Sequence, residues 1–221
     1  MNIIILLSLL IMSLLATYLC NKYLKKFGLI CLFIVSSIIS FLLTFKYTTF
    51  FNINYNANSI TFVTMLTALY LLLENNSKKE INKIVNLNFI LTIFTCVILY
   101  ILSIYTQSIN DTIGINIKNV FFYNYRILIA YPISTYFSQR VLIEIYQEIK
   151  KLYDNIFIST VTTYLVIGLI NAIMYILISY LNLLNVSNII KLILSTYMMR
   201  LIITIIYSLY LTLITAKKVK K

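Results

Sequence analysis

The sequence predicts an all-α protein: a polytopic bundle of transmembrane helices with about seven spans (six to seven), its N-terminus outside and its C-terminus in the cytoplasm. Three observations carry that prediction. The 221 residues are 61% hydrophobic and only 11% charged, whereas soluble domains are nearer half apolar and a quarter charged. Seven stretches have the length and composition of membrane-crossing helices. Basic residues gather in alternate connections between those stretches.

A spanning helix takes about 20 mostly apolar residues. The candidate spans are Ile3–Leu19, Leu29–Phe45, Ser59–Glu74, Ile84–Thr106, Asn119–Gln139, Ile156–Leu181 and Ile189–Thr215. The first has no positively charged segment before it and no small-residue cleavage site after it, so it reads as a retained helix rather than a cleaved signal. The third is short; it tilts little, thins the bilayer locally or enters as a broken helix. Beyond the fifth, Leu142, Ile145, Ile149 and Leu152 make an apolar stripe at helical spacing across Arg140–Asn155. That stripe predicts either a cytoplasmic continuation of the span or a helix lying on the membrane surface. The whole reads as one transmembrane domain, residues 1–221. Within it, residues 1–28 are a peripheral first helix with its cytoplasmic loop, and residues 29–221 are the core.

Orientation follows from the loops. Lys22, Lys25 and Lys26 follow the first span, and Lys78, Lys79 and Lys83 the third. Arg140, Lys150 and Lys151 follow the fifth, and Lys217, Lys218, Lys220 and Lys221 the seventh. With only Lys46, Lys118 and Lys191 on the opposite side, the crowded side is cytoplasmic. The net charge of +12 would suggest a nucleic-acid partner in a soluble protein; in this apolar background it reports topology, and no nucleic acid is expected.

Several chemistries drop out. The chain has no His, which removes imidazole proton relays, His-ligated zinc and Ser–His catalysis. Cys20, Cys31 and Cys96 have no metal or disulfide spacing. No phosphate-binding loop of the Gly-x-x-x-x-Gly-Lys type is present. A membrane-embedded enzyme would need clustered acids, His or a placed Ser, yet only Glu74 and Asp111 border the membrane. No enzyme activity, cofactor or metal is expected.

Polar groups within the spans are the candidate site. Arg126 and Arg200 fall inside apolar segments, where an Arg costs about 2.5–3.5 kcal/mol on insertion scales and usually faces the bundle interior or a wet cavity; the alternative is an Arg that snorkels to the interface, open to Arg126 because it lies only about two turns from its helix end. Arg126, Ala130, Ser134 and Ser138 share one helical row, and Tyr131, Thr135 and Gln139 the adjacent one; Pro132 kinks this helix. Thr160, Tyr164, Gly168, Asn171 and Tyr175 line one face of the sixth span. Tyr197, Arg200, Thr204 and Ser208 line one of the seventh, and Thr67, Tyr70 and Glu74 one of the third. The stripes either pack against one another or converge on a cavity for a flat, polar solute, stacked on Tyr and hydrogen-bonded at its edge.

Three segments carry a family resemblance. Glu74–Val85 (Glu-Asn-Asn-Ser-Lys-Lys-Glu-Ile-Asn-Lys-Ile-Val) resembles the Asp-x-x-x-Glu-x-Tyr-Gly-Lys-Lys-Glu-Ala signature of the queuosine-precursor transporters, the vitamin-uptake-transporter-like family. Arg126-Ile-Leu-Ile-Ala130 followed by Ser138-Gln139 is similar to that family's Arg-x-x-x-Ala and Ser-Gln-x-x-Asp. Ser195-Thr-Tyr-Met-Met-Arg200 is similar to its Thr-Thr-Tyr-x-x-Lys. Order and spacing hold over roughly Leu29 to Lys218, so residues 29–221 look like a transporter core. The chain departs from the pattern where the family's acids fall at Tyr70, Leu142, Asn171 and Tyr207.

The resemblance implies import of a 7-deazaguanine (preQ0, preQ1 or queuine) across a bacterial inner membrane. The implied substrate contacts are Glu74, Arg126, Ser138, Gln139, Asn171, Arg200, Tyr70 and Tyr131. Expected partners are the lipid bilayer and this small deazapurine base, with homo-oligomerisation left open. The alternatives are a substrate-binding membrane subunit of another uptake system, and a membrane protein inactive in transport.

Overall fold

The computed structural model describes residues 2–50, 53–106, 108, 111 and 113–219. Lys220 and Lys221 of the basic tail lie outside the described residues.

The fold is helical, with one small hairpin. In chain order it contains α1 (Asn2–Leu19), α2 (Lys25–Leu43), β1 (Tyr47–Phe50), β2 (Ile53–Asn56), α3 (Ser59–Asn75), α4 (Lys78–Ile104), the short α5 (Gly114–Ile117), α6 (Tyr125–Leu152), α7 (Ile156–Tyr180) and α8 (Val186–Val219). Four helical runs are long and apolar enough to cross a membrane: Ile3–Leu43, Lys78–Ile104, Ile156–Tyr180 and Val186–Ile214. They carry a belt of exposed Ile, Leu, Val and Phe side chains, among them Ile4, Ile11, Ile90, Phe94, Leu194 and Leu213. So broad an exposed apolar surface is untenable in water. The chain is a membrane protein.

The Ile3–Leu43 run does not extend straight. Cys20–Leu24 form one wide π-helical turn, and Lys25 takes a φ of 49°, a left-handed conformation uncommon for a residue with a Cβ. Gly28 accommodates the tight join, since a Cβ there would stand 2.4 Å from the Leu24 Cβ and 2.9 Å from the Cys20 carbonyl. The chain doubles back: Ile5, Leu6 and Leu9 near the start of α1 and Leu43 at the end of α2 line one cavity. A straight run could not bring them together, because its ends would stand about 60 Å apart. α1 lies on the outside of the bundle, tied to α8 by the Tyr207 hydroxyl donating to Ser13 Oγ at 2.7 Å and the Tyr210 hydroxyl donating to the Leu14 carbonyl at 3.2 Å.

α3 is the axis of the fold. Every residue from Ser59 to Leu73 is buried, as suits a helix apolar on nearly all sides. Its shortness is explained by enclosure: packed among α1, α2 and α8, it has little lipid to match. α4 starts at a cap, Ser77 Oγ accepting from the Glu80 amide at 3.4 Å, in the Ser-x-x-Glu arrangement that favours helix starts.

The fifth predicted span is corrected at its start. Residues 114–122 form α5 and a separate π-helical turn, the chain breaks at Tyr123–Asn124, and the Asn124 side chain donates to the Asn119 and Val120 carbonyls. α6 begins at Tyr125 and runs unbroken through Leu152, so the Arg140–Asn155 segment continues the helix for most of its length. Arg126 therefore lies in the first turn of α6, not deep within a span.

The hairpin is not among the predicted elements. Tyr47 pairs with Asn56 and Phe50 with Ile53 in an antiparallel register. Tyr47, Thr48 and Thr49 suit a strand. Asn56 ends the hairpin, its amide donating to the Thr44 carbonyl and its carbonyl side-chain oxygen accepting from the Asn58 amide.

Basic residues meet at one end of the bundle. Lys26 pairs with Glu80 at 3.0 Å, Lys78 with Glu144 at 3.5 Å and Lys150 with Glu74 at 2.7 Å. The starts of α2 and α4 and the ends of α3 and α6 are thus neighbours. The hairpin sits at the opposite end with the α7–α8 connection, where the Tyr47 and Tyr180 hydroxyls bond at 3.1 Å.

Candidate functional site

The predicted polar stripes point inward: Thr67, Tyr70, Ser134, Thr135, Ser138, Gln139, Thr160, Tyr164, Asn171, Tyr175, Arg200, Thr204 and Ser208 are all buried. Within that interior the eight predicted contact residues separate into distinct places.

Arg200 and Asn171 form the centre. α7 and α8 pack along their lengths, and this brings the Arg200 Nη1 to the Asn171 Oδ1 at 2.9 Å and to the Gly168 carbonyl at 3.2 Å. The guanidinium carbon lies 3.9 Å from the centre of the Phe62 ring of α3, a cation–π contact worth about 2 kcal/mol or more when desolvated. Arg200 is 2% exposed and forms no ion pair among the described residues. Its Nε, the Asn171 Nδ2 and the Tyr175 hydroxyl have no hydrogen-bond partner. Along the same α7 and α8 rows, the Ser179 and Thr196 hydroxyls are also unpartnered, as is that of Ser40 on α2. Buried polar atoms are nearly always paired, so the unpaired Arg200 Nε and Asn171 Nδ2 beside a cation with no counter-ion are left wanting acceptors.

The second buried group lies between α2, α4 and α6. The Asn88 amide donates to Ser37 Oγ at 3.2 Å and to Gln139 Oε1 at 3.4 Å, and the Gln139 amide donates to the Met65 sulfur at 3.2 Å. Tyr131 donates to the Ser37 carbonyl at 2.8 Å and stacks obliquely on Phe41. Ser138 is buried beside them, but its hydroxyl bonds its own helix at the Ser134 carbonyl. Phe62 and Met65 are one turn apart on α3, so Arg200 and Gln139 rest on adjacent turns of the same helix.

Glu74, Tyr70 and Arg126 lie elsewhere. Glu74 is about 18 Å beyond Phe62 along α3 at the rise of an α-helix, at the basic end. There its Oε1 accepts from the Tyr146 hydroxyl at 2.5 Å and from Lys150. Burial, then that carboxylate, pushes the Tyr146 phenol well above its ordinary range. Tyr70 packs edge-on against the Tyr146 and Tyr164 rings at 5.0 and 6.0 Å. Arg126 Nη1 donates to the Leu181 carbonyl at 2.8 Å, a favourable place for a cation because that carbonyl follows the C-terminus of α7.

Several members of these two groups were not singled out from sequence as contacts: Asn88, Phe62, Tyr175, Ser37 and Ser40. The α2 residues had a readable signal, since Ser36, Ser40 and Thr44 recur every four positions and share a buried face. Asn88 shares the start of an apolar span with Asn86, and sequence alone does not say which of the two turns inward. None of four cavities lined by described residues has Arg200 or Asn171 in its wall.

No family model matches the chain, and comparison with curated proteins and with solved structures finds no match.

Proposed function

We propose that the protein is a small-solute transporter of the bacterial inner membrane, crossing it seven times with the N-terminus out and the C-terminus in, and that its cargo is a queuosine precursor of the 7-deazaguanine type. The observation that carries the reading is Arg200: a buried guanidinium held by a carboxamide, a carbonyl and a ring face, with unpartnered donors around it. Structural packing alone gives little reason to keep such a group in lipid, because an apolar side chain would serve at lower cost. A solute presenting a carbonyl edge would accept from Arg200 Nε and Asn171 Nδ2, the donors left without partners. Its ring faces would lie against the tyrosines, where base–aromatic stacking is worth about 1–3 kcal/mol. The three sequence resemblances supply the identity of the cargo.

The six acids of the chain, Glu74, Glu80, Asp111, Glu144, Glu148 and Asp154, all lie toward the two ends of the bundle. A carboxylate proton relay through its centre therefore has no members, and cargo movement would depend on Arg200 and neutral groups.

The test is genetic complementation. In a bacterium unable to make the precursor but able to insert it into tRNA, the expressed protein should restore modified tRNA when preQ0, preQ1 or queuine is supplied. Correct membrane insertion without modification at any supplied concentration would sink the proposal. Restoration that requires a co-expressed ATPase pair would convert it to the binding-subunit alternative.

A further inference from the structure

A second candidate site lies on the outer seam between α4 and α6, toward the basic end of the bundle, and is independent of the transport reading. Asn82 and Asn86 stand one turn apart on α4, as do Tyr136 and Arg140 on α6. The Arg140 Nε donates to the Tyr136 hydroxyl at 3.0 Å, its Nη1 to Asn82 Oδ1 at 2.5 Å and its Nη2 to Asn86 Oδ1 at 3.2 Å. The guanidinium carbon lies 5.2 Å from the centre of the Tyr136 ring. These partners are all neutral, and Arg140 forms no ion pair among the described residues. A guanidinium has five N–H donors, so two on its Nη atoms are left for a further acceptor. Unlike Arg200, Arg140 is only partly buried, and Asn86 beside it is exposed.

The charges around this fork favour an anion. Lys79 and Lys83 share the Asn82 and Asn86 side of α4, are exposed, and form no ion pair among the described residues. The nearby acids are already engaged: Glu144, one turn beyond Arg140, by Lys78 at 3.5 Å, and Glu80 by Lys26 at 3.0 Å. Toward the membrane interior the same seam becomes apolar. Phe89 stacks on the Tyr136 ring with centres 4.4 Å apart, and it opens a groove of about 460 Å³ walled by Ile93 and Val97 on α4 and by Ile129 and Ile133 on α6. Those four side chains are exposed on the apolar outer surface, so the groove is entered from the bilayer. It follows α4 from Phe89 to Tyr100, about 16 Å at the rise of an α-helix. That length is comparable with one leaflet of a hydrocarbon core about 30 Å thick. Cation and groove are thus continuous through two stacked rings, in the order of a lipid with an anionic head and an apolar chain.

We propose that this seam binds an anionic phospholipid from the leaflet at the basic end. Its phosphate accepts from the remaining Arg140 Nη donors, Lys83 adds positive charge beside it, and one acyl chain lies along Ile93, Val97, Ile129 and Ile133. Asn82, Asn86 and Tyr136 are positioning residues: they fix the guanidinium without neutralising it, which leaves its charge to the phosphate.

The test is native mass spectrometry of the full-length protein in detergent, with dioleoyl phosphatidylglycerol or dioleoyl phosphatidylcholine added in turn; the two share their chains and phosphate and differ in net charge. Binding of the first lipid should favour phosphatidylglycerol by about fivefold, the worth of one cation near an anionic lipid surface. Arg140→Gln should remove most of that preference, while Lys191→Gln at the opposite end should leave it intact. Ile133→Trp, at a lipid-facing position, should fill the groove and weaken retention of phosphatidylglycerol about threefold or more, the scale of one or two methylenes displaced from their seat. That variant keeps the head cluster whole and decides the matter even if Arg140→Gln fails to insert. Free glycerol 3-phosphate should not displace the bound lipid. Equal binding of the two lipids, a preference that survives Arg140→Gln, or retention untouched by Ile133→Trp would overturn the proposal. So would displacement by glycerol 3-phosphate, which would leave a phosphate site with no use for the groove.

Discussion

Lys150 and Arg200 are both cations on this bundle, yet their surroundings differ in kind. Lys150 sits against Glu74 at the basic end with 45% of its side chain exposed, and Lys26 and Lys78 have comparable carboxylate partners. Water would carry most of the cost if any of these pairs opened. Arg200 has no carboxylate and no water-facing side; a carboxamide, a peptide carbonyl and the Phe62 ring are all that hold it. The chain has placed counter-ions where solvent makes them least necessary and left them out where they would matter most. A cation needed only for folding would be expected to show the reverse.

The sharpest way to break that contrast is Arg200→Leu. Uptake in reconstituted vesicles should fall by about two orders of magnitude, the scale of lost charge-assisted hydrogen bonds. Thermal stability in detergent should change by less than the uptake does, because the desolvation cost of a buried cation is relieved while two hydrogen bonds and the Phe62 contact are lost. Retained uptake with a large loss of stability would make Arg200 a structural residue. Asn171→Ala is a smaller cut: it removes one partner of the guanidinium and one unpartnered donor, and should lower uptake about tenfold while the protein still inserts. At the other end, Lys150→Met should change stability by less than about 1 kcal/mol, a difference that shrinks as salt is added. A larger effect there would mean that the basic end is a site in its own right.

The helices were legible because hydrophobic length is a coarse signal that lipid enforces. Span starts and ends such as Ser59, Leu19 and Ile156 coincide with the helix limits, and the inward direction of the polar stripes follows from lipid having no use for Thr, Asn or Gln. The break at Asn124 was not legible. Val120 to Tyr123 is apolar enough to extend a span, and the Asn124 side chain that ends the preceding turn looks like any other polar residue in sequence. That one break moves Arg126 from the interior to a helix terminus. The hairpin was hidden for a different reason, since two four-residue strands carry too few positions for alternation to show. Periodicity places a residue on a face but not at a height. Glu74 and Arg200 both sit on stripes that look inward, and only the packing of α8 against Phe62 shows how far apart along the axis they lie.

The enclosure of α3 bears on how the chain is made. A helix with almost no lipid-facing side gains little from entering the bilayer alone. Part of its shelter comes from α8, where Tyr207 meets Thr64 at 2.7 Å, more than a hundred residues downstream. During synthesis α3 must wait, threonines exposed, for a neighbour not yet translated. A ribosome stalled before Val186 would leave an incomplete wall, an opening for membrane quality-control proteases.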